Sequence, residues 1–122
     1  MTVLTIGIAS PADYKARTMA IARGEHRPAV DEPKLWFPSL ESLAKILSDR
    51  NRALLALIAE ECPESLQALA DRTGRAKSNL SRTLKTMERY GLIRLEPRPG
   101  RAIAPRVAYD EVRFEVPLKR AA

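Results

Sequence analysis

Basic and small polar side chains are concentrated in one stretch of the sequence, and they are the types that contact nucleic acid. Between Arg75 and Arg106 there are nine basic residues and two acidic ones, whereas the other 90 residues hold 12 basic and 13 acidic side chains. The net charge of the whole chain, +6, therefore arises in about a quarter of its length. Because such side chains hydrogen-bond to phosphates and base edges, this basic window predicts a DNA-contacting surface.

A helix is predicted within the basic window. Leu80, Leu84 and Met87 recur at spacings of four and three, which places them on the buried side of that helix. The positions rotated away from them carry no acidic residue before Glu88. A merely solvated face is the alternative, but such faces usually alternate in charge sign. The residues predicted here to contact DNA are Arg75, Lys77, Ser78, Asn79, Ser81, Arg82 and Lys85.

A hairpin is predicted after this helix. Ile93 begins a strand, the turn formers between Pro97 and Gly100 break it, and Ile103 begins a return strand. Arg98 and Arg101 flank the tip, where arginines can enter a minor groove or clamp its phosphates. We predict both as DNA contacts, with an ordinary basic turn as the alternative reading.

Other elements must position this helix and hairpin. The sequence predicts a strand at residues 3–9, a helix capped by Ser10, and an extended connector at residues 25–38 that Trp36 and Phe37 anchor to the core. Helices follow from Ser39, and Ser65 opens a short one that ends at the glycine turn. A further strand follows near the C-terminus.

Two details of this organisation are specific enough to test. The first helix is expected to turn one face inward, and Asp49 is expected to cap the second helical stretch after residue 39. The residues predicted on that inward face are Tyr14, Thr18, Ile21 and Ala22.

Two short helices, a glycine turn and a hairpin together describe a winged helix-turn-helix. The predicted fold class is mainly α with a small β component, a winged helix-turn-helix with an N-terminal strand-helix extension and a C-terminal strand. We expect residues 1–38 to make dimer or partner contacts, residues 39–108 to form the DNA-binding domain, and residues 109–122 to form the C-terminal strand and tail.

The run from Ser65 to Pro97 carries a specific pattern of alanines, a glycine turn, a serine-arginine pair and a closing Gly-Leu-Ile. The positions are Ala68, Ala70, Gly74, Ser81, Arg82, Gly91, Leu92 and Ile93. This pattern resembles the DNA-binding core of the MarR-like and ArsR-like bacterial regulators, and it implies binding to double-stranded DNA. The cap position two residues after the turn is usually Ser or Thr in that pattern, and here it is Ala76, so we expect a weak helix start.

The flanking segments carry a second, broader resemblance. Residues 35–41 read Leu-Trp-Phe-Pro-Ser-Leu-Glu, and residues 110–116 read Asp-Glu-Val-Arg-Phe-Glu-Val. With the layout of the whole chain, these segments resemble the small winged-helix antitoxins that are encoded beside toxins of the TumE type. The resemblance implies a protein that binds its own promoter and holds a protein toxin inactive.

Several functional classes are excluded by what the sequence lacks. No carboxylate pair, glycine-rich phosphate loop or nucleophile-base spacing is present, so we expect neither an enzyme nor a cofactor. One cysteine, Cys62, and one histidine, His26, cannot supply the four ligands of a structural zinc site or an intramolecular disulfide. The apolar runs are too short to span a bilayer. We therefore expect a cytoplasmic protein without a metal or a membrane partner.

The sequence thus favours a sequence-specific DNA-binding regulator that binds a palindromic operator as a homodimer. The resemblance to the winged-helix antitoxins further implies that it represses its own operon as the antitoxin of a type II toxin-antitoxin pair. Two alternatives stay open: a winged-helix protein-interaction module without specific DNA binding, and a stand-alone ligand-responsive repressor. The operator, the toxin, the surface that binds each partner and any small ligand are not determined at this level.

Overall fold

Helices account for most of the regular structure in the computed structural model, which describes residues 2–119. The elements are β1 (Val3–Ile8), α1 (Pro11–Ala22), β2 (Leu35–Phe37), α2 (Leu40–Ile46), α3 (Asp49–Glu61), α4 (Leu66–Thr73), α5 (Lys77–Arg89), β3 (Ile93–Pro97), β4 (Ile103–Val107) and β5 (Glu111–Glu115). This order confirms the predicted fold class. The part of the predicted tail beyond residue 119 lies outside the described residues.

The chain forms two compact units. The first comprises the residues up to Lys45 together with those from Asp110 onward, and the second comprises Ile46–Tyr109. The first unit contains the sheet β2-β1-β5, in which both pairings are parallel. The assignment of roles to residues 1–38, 39–108 and 109–122 stays a prediction.

The strand β1 is the centre of the sheet in the first unit. Leu4 and Ile6 are buried, as the alternating pattern predicts, and they form the core on one face. On the other face Gly7 leaves room for Trp36, because a Cβ atom at residue 7 would clash with the indole ring. Phe37 is 1% exposed, which confirms its predicted role as an anchor.

The connector at residues 25–38 departs from the prediction, which expected no regular element there. Leu35–Phe37 forms β2 and pairs with β1 in the register Ile6↔Leu35. Three residues are too few for a visible alternation, and the pairing comes from β1, which is distant in sequence. The connector is also held by Glu32, whose carboxylate accepts a hydrogen bond from Arg17 at 2.7 Å. This bond lowers the pKa of Glu32 below its usual value.

The predicted inward face of α1 is wrong for Tyr14, Thr18 and Ala22, which are exposed; Ile21 alone of the four is half-buried, and no residue of that helix is fully buried. Tyr14 is 46% exposed, and the half-buried positions include Arg17, Ala20 and Ile21. Arg17 faces inward because its guanidinium lies 5.1 Å from the centre of the Trp36 ring, in addition to its bond to Glu32. The prediction used only the spacing of apolar residues, so it could not identify the inward position of a cation that contacts an aromatic ring and a carboxylate.

The C-terminal strand β5 completes the sheet within the same chain. It pairs with β1 over Val3↔Glu111 to Gly7↔Glu115. The Thr2 amide N–H donates a hydrogen bond of 2.9 Å to the Asp110 carboxylate at the start of this pairing. Hydrogen bonds from Thr2 lower the pKa of Asp110. The N-terminal strand therefore has its partner within one chain.

The second unit consists of three helices and the hairpin β3–β4, which we call the wing. Ser48 caps α3, since its hydroxyl accepts the Asn51 amide N–H at 3.2 Å. The prediction of Asp49 as the cap is wrong because Asp49 is already the first helical residue. The buried side chains of this unit come from every helix and strand in it: Leu54, Ile58, Leu69, Ala70, Leu80, Leu84, Met87, Leu92, Ile93, Ala104 and Pro105.

Candidate nucleic-acid interface

The turn between α4 and α5 has the geometry of a helix-turn-helix. Gly74 ends α4 with a left-handed φ of 74°, and its N–H donates to the Ala70 carbonyl at 2.8 Å. The Thr73 hydroxyl accepts the Arg75 amide N–H at 3.3 Å and donates to the Leu69 carbonyl at 2.9 Å. These bonds satisfy the amide N–H groups of Gly74 and Arg75, and only three residues, 74–76, separate α4 from α5.

The helix α5 is anchored by one side only. Leu80 and Leu84 are fully buried and Met87 is 1% exposed, as the periodicity predicts. Directly opposite, at spacings of four, three and four, lie four exposed residues that we call the α5 face: Ser78, Arg82, Lys85 and Arg89. Within residues 2–119 none of the three cations of this face has a carboxylate partner.

The N-terminal end of α5 holds a second group of polar residues. Both Nε and Nη2 of Arg75 donate to the Asn79 Oδ1 atom, at 3.2 and 2.9 Å. This leaves the amide nitrogen of Asn79 as its donor group. Burial, and after it the positive charge of Arg50, lower the pKa of Arg75 from its usual value. Arginine stays protonated at physiological pH, so Arg75 remains a cation despite this shift.

The wing presents a different arrangement at its tip. Gly100 and Arg101 adopt left-handed φ angles of 76° and 66° in the turn that joins β3 to β4. Left-handed backbone costs about 1–2 kcal/mol for a residue other than glycine. The Arg101 side chain is exposed and has no hydrogen-bond or ion-pair partner in the described part of the chain.

Arg98, by contrast, is turned toward carboxylates. Its guanidinium lies 3.8 Å from both Glu64 and Glu96. Glu64 also lies 3.6 Å from Arg106, which donates a 2.8 Å hydrogen bond to the Pro63 carbonyl. Two of the nine cations of the basic window, Arg98 and Arg106, thus pair with Glu64, which lies outside that window. The unpaired positive charge lies mainly on α5 and at Arg101.

All nine residues predicted to contact DNA lie in the second unit, seven in or just before α5 and two in the wing. Lys77, Ser78 and Asn79 are exposed in the first turn of α5, and Ser81 lies half-buried at the edge of the α5 face. Their role as contacts stays a prediction.

Two residues that bear on this surface were missed by sequence reasoning. Arg50 lies in α3, 25 positions before Arg75, and adds positive charge beside it. A cation in the first turn of a helix interacts unfavourably with the helix dipole. This unfavourable placement is the sequence feature that could have identified Arg50 as a functional residue. Glu64 gave no such signal, because its pairing with the wing depends on tertiary contact.

The start of α5 lacks a side-chain cap, as predicted. Ala76 is at the N-cap with extended backbone, φ −64° and ψ 137°. Ala76→Ser is expected to raise the free energy of unfolding by about 1 kcal/mol, because the hydroxyl would accept the Asn79 amide N–H. Urea denaturation measures this. Ala59→Ser, at an exposed position inside α3, is the control, and an equal effect of the two substitutions would contradict the capping explanation.

The described residues, 2–119, also bear on metal binding and on membrane insertion. This part of the chain contains no group of three or more His, Cys, Asp or Glu residues arranged to hold a metal ion. None of the helices described there is long and apolar enough to cross a membrane.

Comparison with known proteins identifies one family and one solved structure. The model of the HVO_A0114 family matches residues 46–114, more than half of the chain and the whole of the second unit. The chain is also similar to the "predicted DNA-binding transcriptional regulator from E. coli", with 21% identity and a TM-score of 0.48 over 78% of this chain and 84% of that chain. No curated protein matches the chain.

Proposed function

The chain belongs to the HVO_A0114 family, and we propose that it is a sequence-specific DNA-binding transcriptional regulator that reads DNA with α5 and the wing. The observation that carries this proposal is the α5 face. It is exposed, lies opposite a fully buried apolar stripe, and carries three cations without a carboxylate partner among residues 2–119. A helix of this kind fits the major groove of B-DNA.

The residues of α5 divide into two roles in this proposal. Arg82 reads bases, because an arginine in the middle of the helix can reach the two acceptors of a guanine edge. Lys77 and Lys85 neutralise phosphates, and the first turn of α5 approaches the backbone with its free amide groups. Arg75 orients Asn79, whose remaining amide donor is directed by the two hydrogen bonds on its oxygen.

The wing contributes through Arg101 rather than through both of its tip arginines. Arg101 projects from a left-handed backbone position and is unpaired within the described residues, so it is free to meet a phosphate or the minor groove. The carboxylates of Glu64 and Glu96 hold Arg98 and thereby position the wing.

DNA binding is tested with duplexes that the protein itself selects from a random pool, against scrambled duplexes of the same composition. We expect wild-type binding to the selected duplex to be about 10³-fold or more tighter at physiological salt. Arg101→Ala should lower the slope of log affinity against log salt by about 1, whereas Arg98→Ala should change it less. Equal affinity of the wild type for selected and scrambled DNA would contradict the proposal.

A homodimer and an antitoxin role are the finer parts of the proposal. A dimer places two α5 helices in successive major-groove turns, about 34 Å apart, on a palindromic operator. The antitoxin role is supported by the resemblance of residues 35–41 and 110–116 and by the near-neutral charge of the chain outside the basic window. It requires that the product of the adjacent gene co-purify with this protein and be inactive in the complex. The regulator proposal stands without that result.

A further inference from the structure

The outer edge of β5 has unused backbone hydrogen-bonding groups. In the described part of the chain β5 pairs with β1 alone. The Glu111 amide N–H donates to the Thr2 carbonyl at 3.2 Å, so the backbone groups of Glu111 point toward β1. Because this direction alternates along a strand, the N–H and C=O groups of Val112 and Phe114 point away from β1, toward the free edge.

The same edge exposes apolar side chains. Phe114 is 59% exposed and Val116 is 37% exposed. Phe114 is paired with Ile6, so these side chains lie on the face of the sheet that buries Leu4 and Ile6. An apolar edge strand is a template for pairing with another strand, and proteins normally block or cover such edges.

We propose that a second copy of this chain covers this edge, with the two β5 strands antiparallel and centred on Phe114. The two sheets then form one continuous six-stranded sheet. Phe114 of each copy lies opposite Phe114 of the other, and Val112 lies opposite Val116 of the other copy. All of these are residues whose backbone groups point outward, so the pairs are hydrogen-bonded ones. The pairing also covers the exposed apolar stripe.

The charges of β5 select this register. Centred on Phe114, Arg113 lies opposite Glu115 of the second copy, and the symmetry of the dimer makes this ion pair twice. A register centred on Arg113 would place the Arg113 side chains of the two copies opposite each other, and Glu111 opposite Glu115 of the second copy. A register centred on Glu115 would place the two Glu115 side chains opposite each other. A shift by a single residue in one strand would turn the apolar side chains to opposite faces.

One other register has complementary charges. Centred on Val112, it pairs Glu111 with Arg113 of the second copy. That register sets Phe114 against Asp110 and leaves Val116 uncovered. The register centred on Phe114 is therefore the one that satisfies both the ion pairs and the apolar stripe.

This inference deepens the proposed homodimer and rests on that part of the proposed function, but it is independent of DNA binding. Sedimentation equilibrium of the full chain without DNA measures it. We expect the wild type to sediment at twice the 13.6 kDa mass of one chain. Arg113→Glu and Glu115→Arg should each raise the dimer dissociation constant by about tenfold or more, because each replaces two opposite-charge pairs by two like-charge pairs.

Two combinations of these substitutions separate a specific pairing from simple damage. An equimolar mixture of Arg113→Glu and Glu115→Arg chains should form a heterodimer, since every cross-strand pair in it is complementary. The double variant R113E/E115R should recover a homodimer for the same reason. Far-UV circular dichroism establishes that each variant is folded.

Glu111→Arg is the matched control, because Glu111 shares the strand and the face of Glu115 but lies opposite Pro117 in the proposed register. Glu111 accepts a hydrogen bond from Arg113 within its own chain at 2.9 Å, so this variant removes the intrachain partner of Arg113 while Glu115 of the second copy stays opposite it. We expect E111R to stay dimeric. A loss of the dimer in E111R as large as that in E115R, a mixture that stays monomeric, or a monomeric wild type would each overturn the inference. A wild type that binds its selected duplex specifically while it sediments as a monomer would overturn the dimer and leave the DNA-binding proposal standing.

Discussion

Arg82→Ala is expected to weaken binding to the selected duplex by about 1–3 kcal/mol while binding to scrambled DNA changes much less. Arg82 is exposed on the α5 face and has no side-chain partner among residues 2–119, so its guanidinium is available to contact DNA. A bidentate contact to guanine discriminates between base pairs, whereas a phosphate contact does not. The ratio of the two affinities is therefore the quantity to measure, by fluorescence anisotropy at fixed salt.

Arg89→Ala is the control for this prediction. Arg89 lies on the same face of α5, seven residues further along, and is equally unpaired in the described part of the chain. At the C-terminal end of α5 it is expected to contribute only a phosphate contact. Its removal should therefore lower the affinity for the selected and the scrambled duplex by the same factor. If Arg82→Ala also weakens both duplexes alike, Arg82 contacts the backbone and another residue reads the sequence.

Leu84→Ala is expected to lower the free energy of unfolding by about 2–5 kcal/mol. Leu84 is fully buried at the centre of the apolar stripe by which α5 packs against the rest of the second unit. The substitution removes apolar contacts and leaves a cavity that the neighbouring helices cannot fill completely. Urea denaturation measures the loss as a lower transition midpoint.

The neighbouring residue Lys85 is the natural comparison. Lys85 is exposed on the α5 face, so Lys85→Ala should change the free energy of unfolding by no more than about 0.5 kcal/mol while it weakens DNA binding. A Leu84→Ala protein as stable as Lys85→Ala would show that α5 does not depend on this stripe. The two substitutions thus distinguish a residue that stabilises α5 from a residue of α5 that contacts DNA.

Local sequence predicted the helix-turn-helix because each of its signals acts over a few residues. Ser65 caps α4 through its own hydroxyl, Gly74 supplies the left-handed end, and Leu80, Leu84 and Met87 form one stripe. A cap, a turn and a periodicity are decided by covalent geometry and near neighbours, so they can be found without the tertiary structure.

Two of the errors have a shared physical origin in long-range contact. β2 is a strand because β1 offers it backbone partners, and α1 faces inward through Arg17 because Trp36 and Glu32 receive its guanidinium. Ser48 was missed as the cap of α3 for a smaller reason, since two adjacent residues, Ser48 and Asp49, are both good capping types.

The helix-turn-helix, the wing and the identity of the helix that carries the basic face all follow from local sequence signals. Which charges of the basic window remain free depends on tertiary contact, because Glu64 pairs with Arg98 and Arg106, which are distant from it in sequence. Tertiary contact also pairs β1 with β5 in one sheet, in which the outer edge of β5 has no partner strand among residues 2–119. Pairing between distant segments depends on where the fold brings them, and local propensity does not encode that position.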